Sequence, residues 1–134
     1  MIINQLKELE HSSISRGIPI IGSEKGSWLL EQVFKFKPNR ILELGTANGY
    51  SGIILGSNKA ELITIEQNQQ IAKEASDNFK KFNINAKIII GDCVQEVNKL
   101  LVKKEKFDLI FIDFAKSKYI QVLDQCIKLI NKGY

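Results

Sequence analysis

Apolar positions along the chain follow two alternating periods. Residues 2–11 carry Ile2, Ile3, Leu6 and Leu9 near one face of a short helix. Ser12 to Gly22 reads as an irregular stretch around Pro19. Ser23 then stands as a helix N-cap before apolar positions at Trp28, Leu29, Val33 and Phe36, and the pattern stops at Lys37-Pro38, because a residue before proline avoids the helical region. From Arg40 the period shortens. RILEL (40–44), ELITIE (61–66), AKIII (86–90) and FDLIFI (107–112) are short β-rich runs. Between and after them, the spacing predicts helices over 50–57, 68–82, 94–102 and 118–131. In the helix over 68–82, Ile71, Ala72, Ala75, Phe79 and Phe82 face inward; in the last helix the inward set is Ile120, Leu123, Ile127 and Ile130, with Lys132-Gly133 as the stop signal.

Strand and helix thus alternate four times. The strands are apolar without a polar face, the pattern of strands covered on both sides. Right-handed crossovers between such units give a parallel sheet between two helical layers, a doubly wound α/β domain. At 134 residues the chain is read as one domain, with an N-terminal helical segment (1–38) leading into a core (39–134).

Composition narrows the picture by exclusion. Hydrophobic residues make up 44% and charged residues 25%, with two Pro and nine Gly, which fits neither a disordered nor a fibrous chain. No apolar run approaches the ~18 residues of a membrane span, and charges near the start interrupt any signal-peptide core. These features predict a soluble cytoplasmic protein with no membrane partner. Cys93 and Cys126, with His11 alone beside them, cannot make a structural zinc site or a disulfide framework and read as reduced thiols. The net charge of +4 falls entirely in residues 67–134, and 17 of the 19 basic residues are Lys. That surface is compatible with RNA or a phosphorylated substrate without specifying either.

In a doubly wound sheet, ligands bind beyond the carboxyl ends of the strands, so those ends carry the chemistry. The first runs into Glu43-Leu44-Gly45-Thr46-Ala47-Asn48-Gly49-Tyr50-Ser51. Gly45 and Gly49 permit a tight turn and close backbone approach to a ligand. Their G-x-x-x-G spacing is neither the dinucleotide fingerprint nor a P-loop. The loop suits an amino-acid tail, with Glu43 available for a cation. The second strand ends in Glu66, 21 residues after Gly45, where an acid accepts from ribose hydroxyls or is simply a surface carboxylate. The third ends in Gly91-Asp92-Cys93, where Asp92 either meets an adenine amino group or caps the next helix. The fourth ends in Asp113, with Lys116 three residues on.

ILELGTANGYSGIIL, LITIEQN, IIIGDCVQEV and FDLIFIDFAKSKY resemble, in order and spacing, the class I S-adenosylmethionine (SAM) methyltransferases. More narrowly, the GYS of the first motif and the later D-x-x-K-x-x-Y resemble the catechol and caffeoyl-CoA O-methyltransferase-like family. The resemblance spans roughly residues 18–134. It implies a Rossmann-like sheet with strands in the order 3-2-1-4, the C-terminal strands of the full fold being absent from these residues. It also implies that Glu43, Gly45, Thr46, Gly49, Tyr50 and Ser51 form the pocket for the methionine part of SAM, that Ile21 lines it, that Glu66 binds the ribose, and that Asp92 and Cys93 flank the adenine. Asp113 would touch the SAM amino group and serve as one ligand of a divalent ion such as Mg²⁺, and Lys116 would be the general base. Phe114 and Ala115 replace the bulky polar-aromatic pair of the animal catechol enzymes.

The expected activity is therefore methyl transfer from SAM to a hydroxyl of a small molecule, metal-assisted in a longer form. A tRNA acceptor with a hydroxylated wobble uridine, or a non-catalytic module binding SAM or a partner, are the alternatives. A homodimer is the family's usual state. Because the metal site wants an Asp-Asn pair beyond residue 134, these residues alone are expected to bind SAM weakly, and the apolar edge at 107–112 is expected to draw another chain.

Overall fold

In the computed structural model, residues 2–114 and 116–131 are described, Lys116 by its backbone alone. Twelve elements follow in order: α1 (Ile2–Gln5), α2 (Lys7–Ser15), α3 (Gly22–Phe36), β1 (Arg40–Leu44), α4 (Tyr50–Leu55), a 3-10 turn (Gly56–Asn58), β2 (Glu61–Glu66), α5 (Gln69–Lys81), β3 (Ala86–Ile90), α6 (Cys93–Val102), β4 (Leu109–Ile112) and α7 (Lys116–Leu129). The strands form one parallel sheet in the order β3-β2-β1-β4, as the resemblance implies. Register runs straight across: Glu43 lies opposite Thr64 of β2 and Phe111 of β4.

Strand parity divides the core in two. Ile41 and Leu62 point to the face covered by α3, α4 and α5, and pack with Leu29, Leu30, Val33, Ile53, Ile54 and Phe79. Leu42, Leu44, Ile63 and Ile65 point to the opposite face, against Val97 and Leu100 of α6 and Val122, Cys126 and Leu129 of α7. The central strands are buried along nearly all their length, whereas β3 and β4, at the sheet edges, are only half-buried. At the amino ends of the strands, Arg40 holds the sheet together: its guanidinium bonds Glu61 at 2.5 Å and Glu105 at 3.0 Å, and stacks 4.7 Å over the Phe107 ring.

Four expectations from periodicity are corrected. The helical start extends through Ser15, so Ser12–Ser15 is not irregular. Ser23 is not an N-cap: α3 begins at Gly22 after Ile21, without a side-chain cap. Trp28 and Phe36 are exposed, and Leu30 is buried instead. In α7 the inward set is Val122, Cys126 and Leu129, while Ile120, Leu123 and Ile127 are 81%, 41% and 60% exposed. This helix is apolar on several sides, so spacing alone does not choose the buried side. Lys132-Gly133 and Ala115 lie outside the described residues. No described helix is long and apolar enough to cross a membrane.

Candidate functional site at the carboxyl edge of the sheet

The loop from β1 to α4 is shaped by two glycines. Gly45 has φ +99°, and a Cβ there would stand 2.3 Å from the Asp113 carbonyl oxygen, so the end of β4 lies directly against the turn. Gly49 has φ +97°, and its Cβ would meet the Phe79 ring at 3.2 Å. Between them, the Gly45 and Thr46 amides both donate to the Ile65 carbonyl, at 2.9 and 3.2 Å, which fastens the loop to the end of β2.

This turn forms part of the wall of a cavity of about 580 Å³. Ile21, Gly45, Glu66, Cys93 and Asp113, all singled out in the sequence, line it together. Glu66 is held at its rim: one carboxylate oxygen accepts from the Ala47 amide at 2.8 Å, the other from the Asn68 amide at 2.9 Å. A carboxylate has about four acceptor directions, so roughly two remain free toward the cavity. Burial pushes the Cys93 thiol up to about 11, with Asp92 and Glu66 adding to the rise, so it stands there as a neutral thiol. The Asp113 carboxyl is raised above its usual range by partial loss of water, an effect that Lys25 partly offsets.

Glu43 lies behind this wall. Its side chain is fully buried on the α4 face of the sheet, accepting from the Ser51 hydroxyl and, at 2.7 Å, from the Thr64 hydroxyl, which pairs with Thr46 at 2.6 Å. Burial pushes its pKa up to about 8; the two hydroxyls oppose the shift, and the charges of Asp113 and Glu66 add to it. In this arrangement Glu43 is a buried, largely protonated strut beneath the loop. Thr46, Ser51 and Gly49 are buried with it, as is Tyr50, whose hydroxyl rises to about 12 through burial and the nearby Glu10 carboxylate. None of these five lines the cavity. Asp92 also stands outside the lining, and its side chain caps α6 by accepting from the Gln95 amide at 3.1 Å.

Sequence reasoning missed Lys25 and Lys118, which bring two cations into the lining from α3 and α7, and Pro19, Ile20 and Gln67. Lys25 lies only four residues after Ile21, in the first turn of α3, and that proximity was the available signal. The side chain of Lys116, assigned as base, lies outside the described residues. Those residues contain no group of three or more His, Cys, Asp or Glu able to hold a metal. Asp113 alone does not fit Mg²⁺, which requires near-octahedral oxygen ligation.

A four-stranded 3-2-1-4 parallel sheet with a glycine turn after β1 and an acid ending β2 defines a Rossmann-like nucleotide-binding fold. The chain belongs to the O-methyltransferase family, whose profile matches residues 1–134. Among curated relatives, it is 32% identical over 123 residues to catechol O-methyltransferase B of Danio rerio, covering 84% of this chain and 46% of that protein. Among solved structures, an O-methyltransferase from Bacillus cereus in complex with S-adenosylhomocysteine (SAH) superposes with a TM-score of 0.85 at 26% identity, covering 96% of this chain and 62% of that one. A putative caffeoyl-CoA O-methyltransferase from Staphylococcus aureus gives 0.81 at 25% identity, over 96% and 61%. The chain thus spans from under half to about three fifths of the length of these relatives.

Proposed function

We propose that the cavity at the carboxyl edge of the sheet binds SAM and that the protein to which these residues belong transfers its methyl group to a hydroxyl acceptor. The observation that carries this is Glu66: it is already oriented by two backbone amides and keeps acceptor capacity on the cavity side, beside the glycine turn. Ile21 and Cys93 add apolar surface to the pocket, Cys93 on the side assigned to the adenine, and Asp113 supplies an acceptor for an ammonium group. Bound there, SAM would supply a sulfonium methyl whose transfer to oxygen leaves SAH. The residues of this chain contribute mainly by positioning, and Lys116, at the head of α7, is assigned to take the acceptor proton. Glu43 acts from below, holding Ser51 and Thr64 and so the loop. No step is assigned to a metal, since Asp113 alone does not make a site for one.

Titration calorimetry with SAH tests the reading. Binding that Glu66→Ala weakens supports it; a protein of full length that takes up no SAH refutes it. Lys116→Ala is expected to lower turnover in that protein far more than SAH affinity, because the role assigned to it, taking the acceptor proton, belongs to the chemical step. Equal losses in both would remove it from the role of base.

A further inference from the structure

The two walls of the cavity come from distant parts of the chain. Pro19, Ile20 and Ile21 follow α2, while Gly45 and Ala47 belong to the loop after β1. One buried side-chain contact joins them: the Asn48 amide donates to the Ser13 hydroxyl at 2.6 Å, and that hydroxyl donates to the Leu9 carbonyl at 2.6 Å. Both side chains are 0% exposed. Ser13 also fixes its own side of the cavity, since its carbonyl accepts from the Ile18 amide at 2.9 Å, immediately before Pro19. Asn48 fixes the other: its side-chain oxygen accepts from the Tyr50 amide at 3.3 Å, and its backbone carbonyl accepts from the Asn78 side chain at 2.8 Å. The Arg16–Glu74 ion pair at 2.8 Å lies alongside, half in solvent, where it contributes little.

We infer that Ser13 and Asn48 are a positioning pair that sets the width of the cofactor cavity by tying the N-terminal segment to the glycine loop. The inference rests on the reading of that cavity as a SAM site. A pair that is polar, fully buried and mutually satisfied holds one geometry, because any shift leaves the Asn48 amide without a partner in a dry environment. An apolar contact at the same place would hold the segments together without fixing their spacing. Neither Ser13 nor Asn48 lines the cavity itself, and the pair acts through the backbone on either side.

The test is SAH affinity in Ser13→Ala, Asn48→Ala and the double variant, with Leu129→Val as a stability control. Leu129 is buried at the amino end of β4, where its carbonyl accepts from Phe107, far from the cavity. Each single variant is expected to weaken SAH at least fivefold, and the double variant to be no weaker than the worse single one, since the pair acts as a unit. Leu129→Val is expected to lower the melting temperature and leave affinity within twofold. Hydrogen exchange on the unmodified protein gives an independent reading should the variants not fold: SAH is expected to slow the amides of Ile18, Ile20 and Ile21 together with those of residues 45–49. Folded single variants that bind within twofold of wild type, or protection confined to residues 45–49, overturn the positioning role while leaving the SAM site standing. An unmodified protein that binds no SAH overturns both.

Discussion

Glu43 gives a pH dependence with a definite sign. Its carboxyl is fully buried and holds its proton to about pH 8, against an ordinary value of 4.5. Below the lower value both folded and unfolded chains are protonated and the group contributes nothing. Between the two values the unfolded chain releases the proton and the folded chain does not, so stability falls as pH rises. Above about 8 both are ionised and the loss is complete. Each pH unit in that window costs about 1.4 kcal/mol, so the whole span of roughly three and a half units removes on the order of 5 kcal/mol. Glu43→Gln keeps the shape without a titrating group, its oxygen accepting from one of the two hydroxyls of Ser51 and Thr64 and its nitrogen donating to the other, as the protonated acid does. Urea unfolding at pH 5, 6, 7 and 8, with wild type and variant measured in parallel, isolates the term, because the other groups cancel in the difference. The variant is expected to gain on wild type steadily from pH 5 to 8, with no further gain above that. Parallel stability curves across the window would refute the assignment of a buried, protonated Glu43.

Other outcomes follow from the same geometry. Glu66→Ala removes the ribose acceptor and is expected to weaken SAH by about 1–3 kcal/mol in calorimetry, with unchanged affinity removing Glu66 from the site. Gly45→Ala drives a methyl into the Asp113 carbonyl at a positive φ, and should cost about 3 kcal/mol or more in urea unfolding; a loss under about 1 kcal/mol would mean that the turn relaxes freely. The 134 residues alone are expected to self-associate in sedimentation through the open edge of β4 and the exposed α7 stripe, and Ile120→Gln with Ile127→Gln should reduce it. A monodisperse monomer before substitution would show that this face needs no cover.

Much of this protein was legible in one dimension. Strand runs such as RILEL and ELITIE are bounded by turn residues, and local periodicity placed β1, β2 and β3 to the residue. Gly45, Gly49 and Glu66 were identifiable because the backbone conformation and the strand ending are written locally. Other features are decided by what packs against what. The strand position of Glu43 suggested a cation partner at the cavity, yet strand parity turns it under α4, and only the crossover that lays α4 there makes it a buried acid. The side of α7 that faces inward was misread because Ile120, Leu123 and Ile127 are as apolar as Val122, Cys126 and Leu129, and the sheet selects between them. Lys25 reaches the cavity, and Ser13 meets Asn48 across 35 positions, through the docking of the N-terminal helices. Sequence determines local conformation through sterics and periodicity; which polar groups lose water is a property of the assembled layers, and here that loss sets the chemistry of Glu43, Cys93 and Asp113.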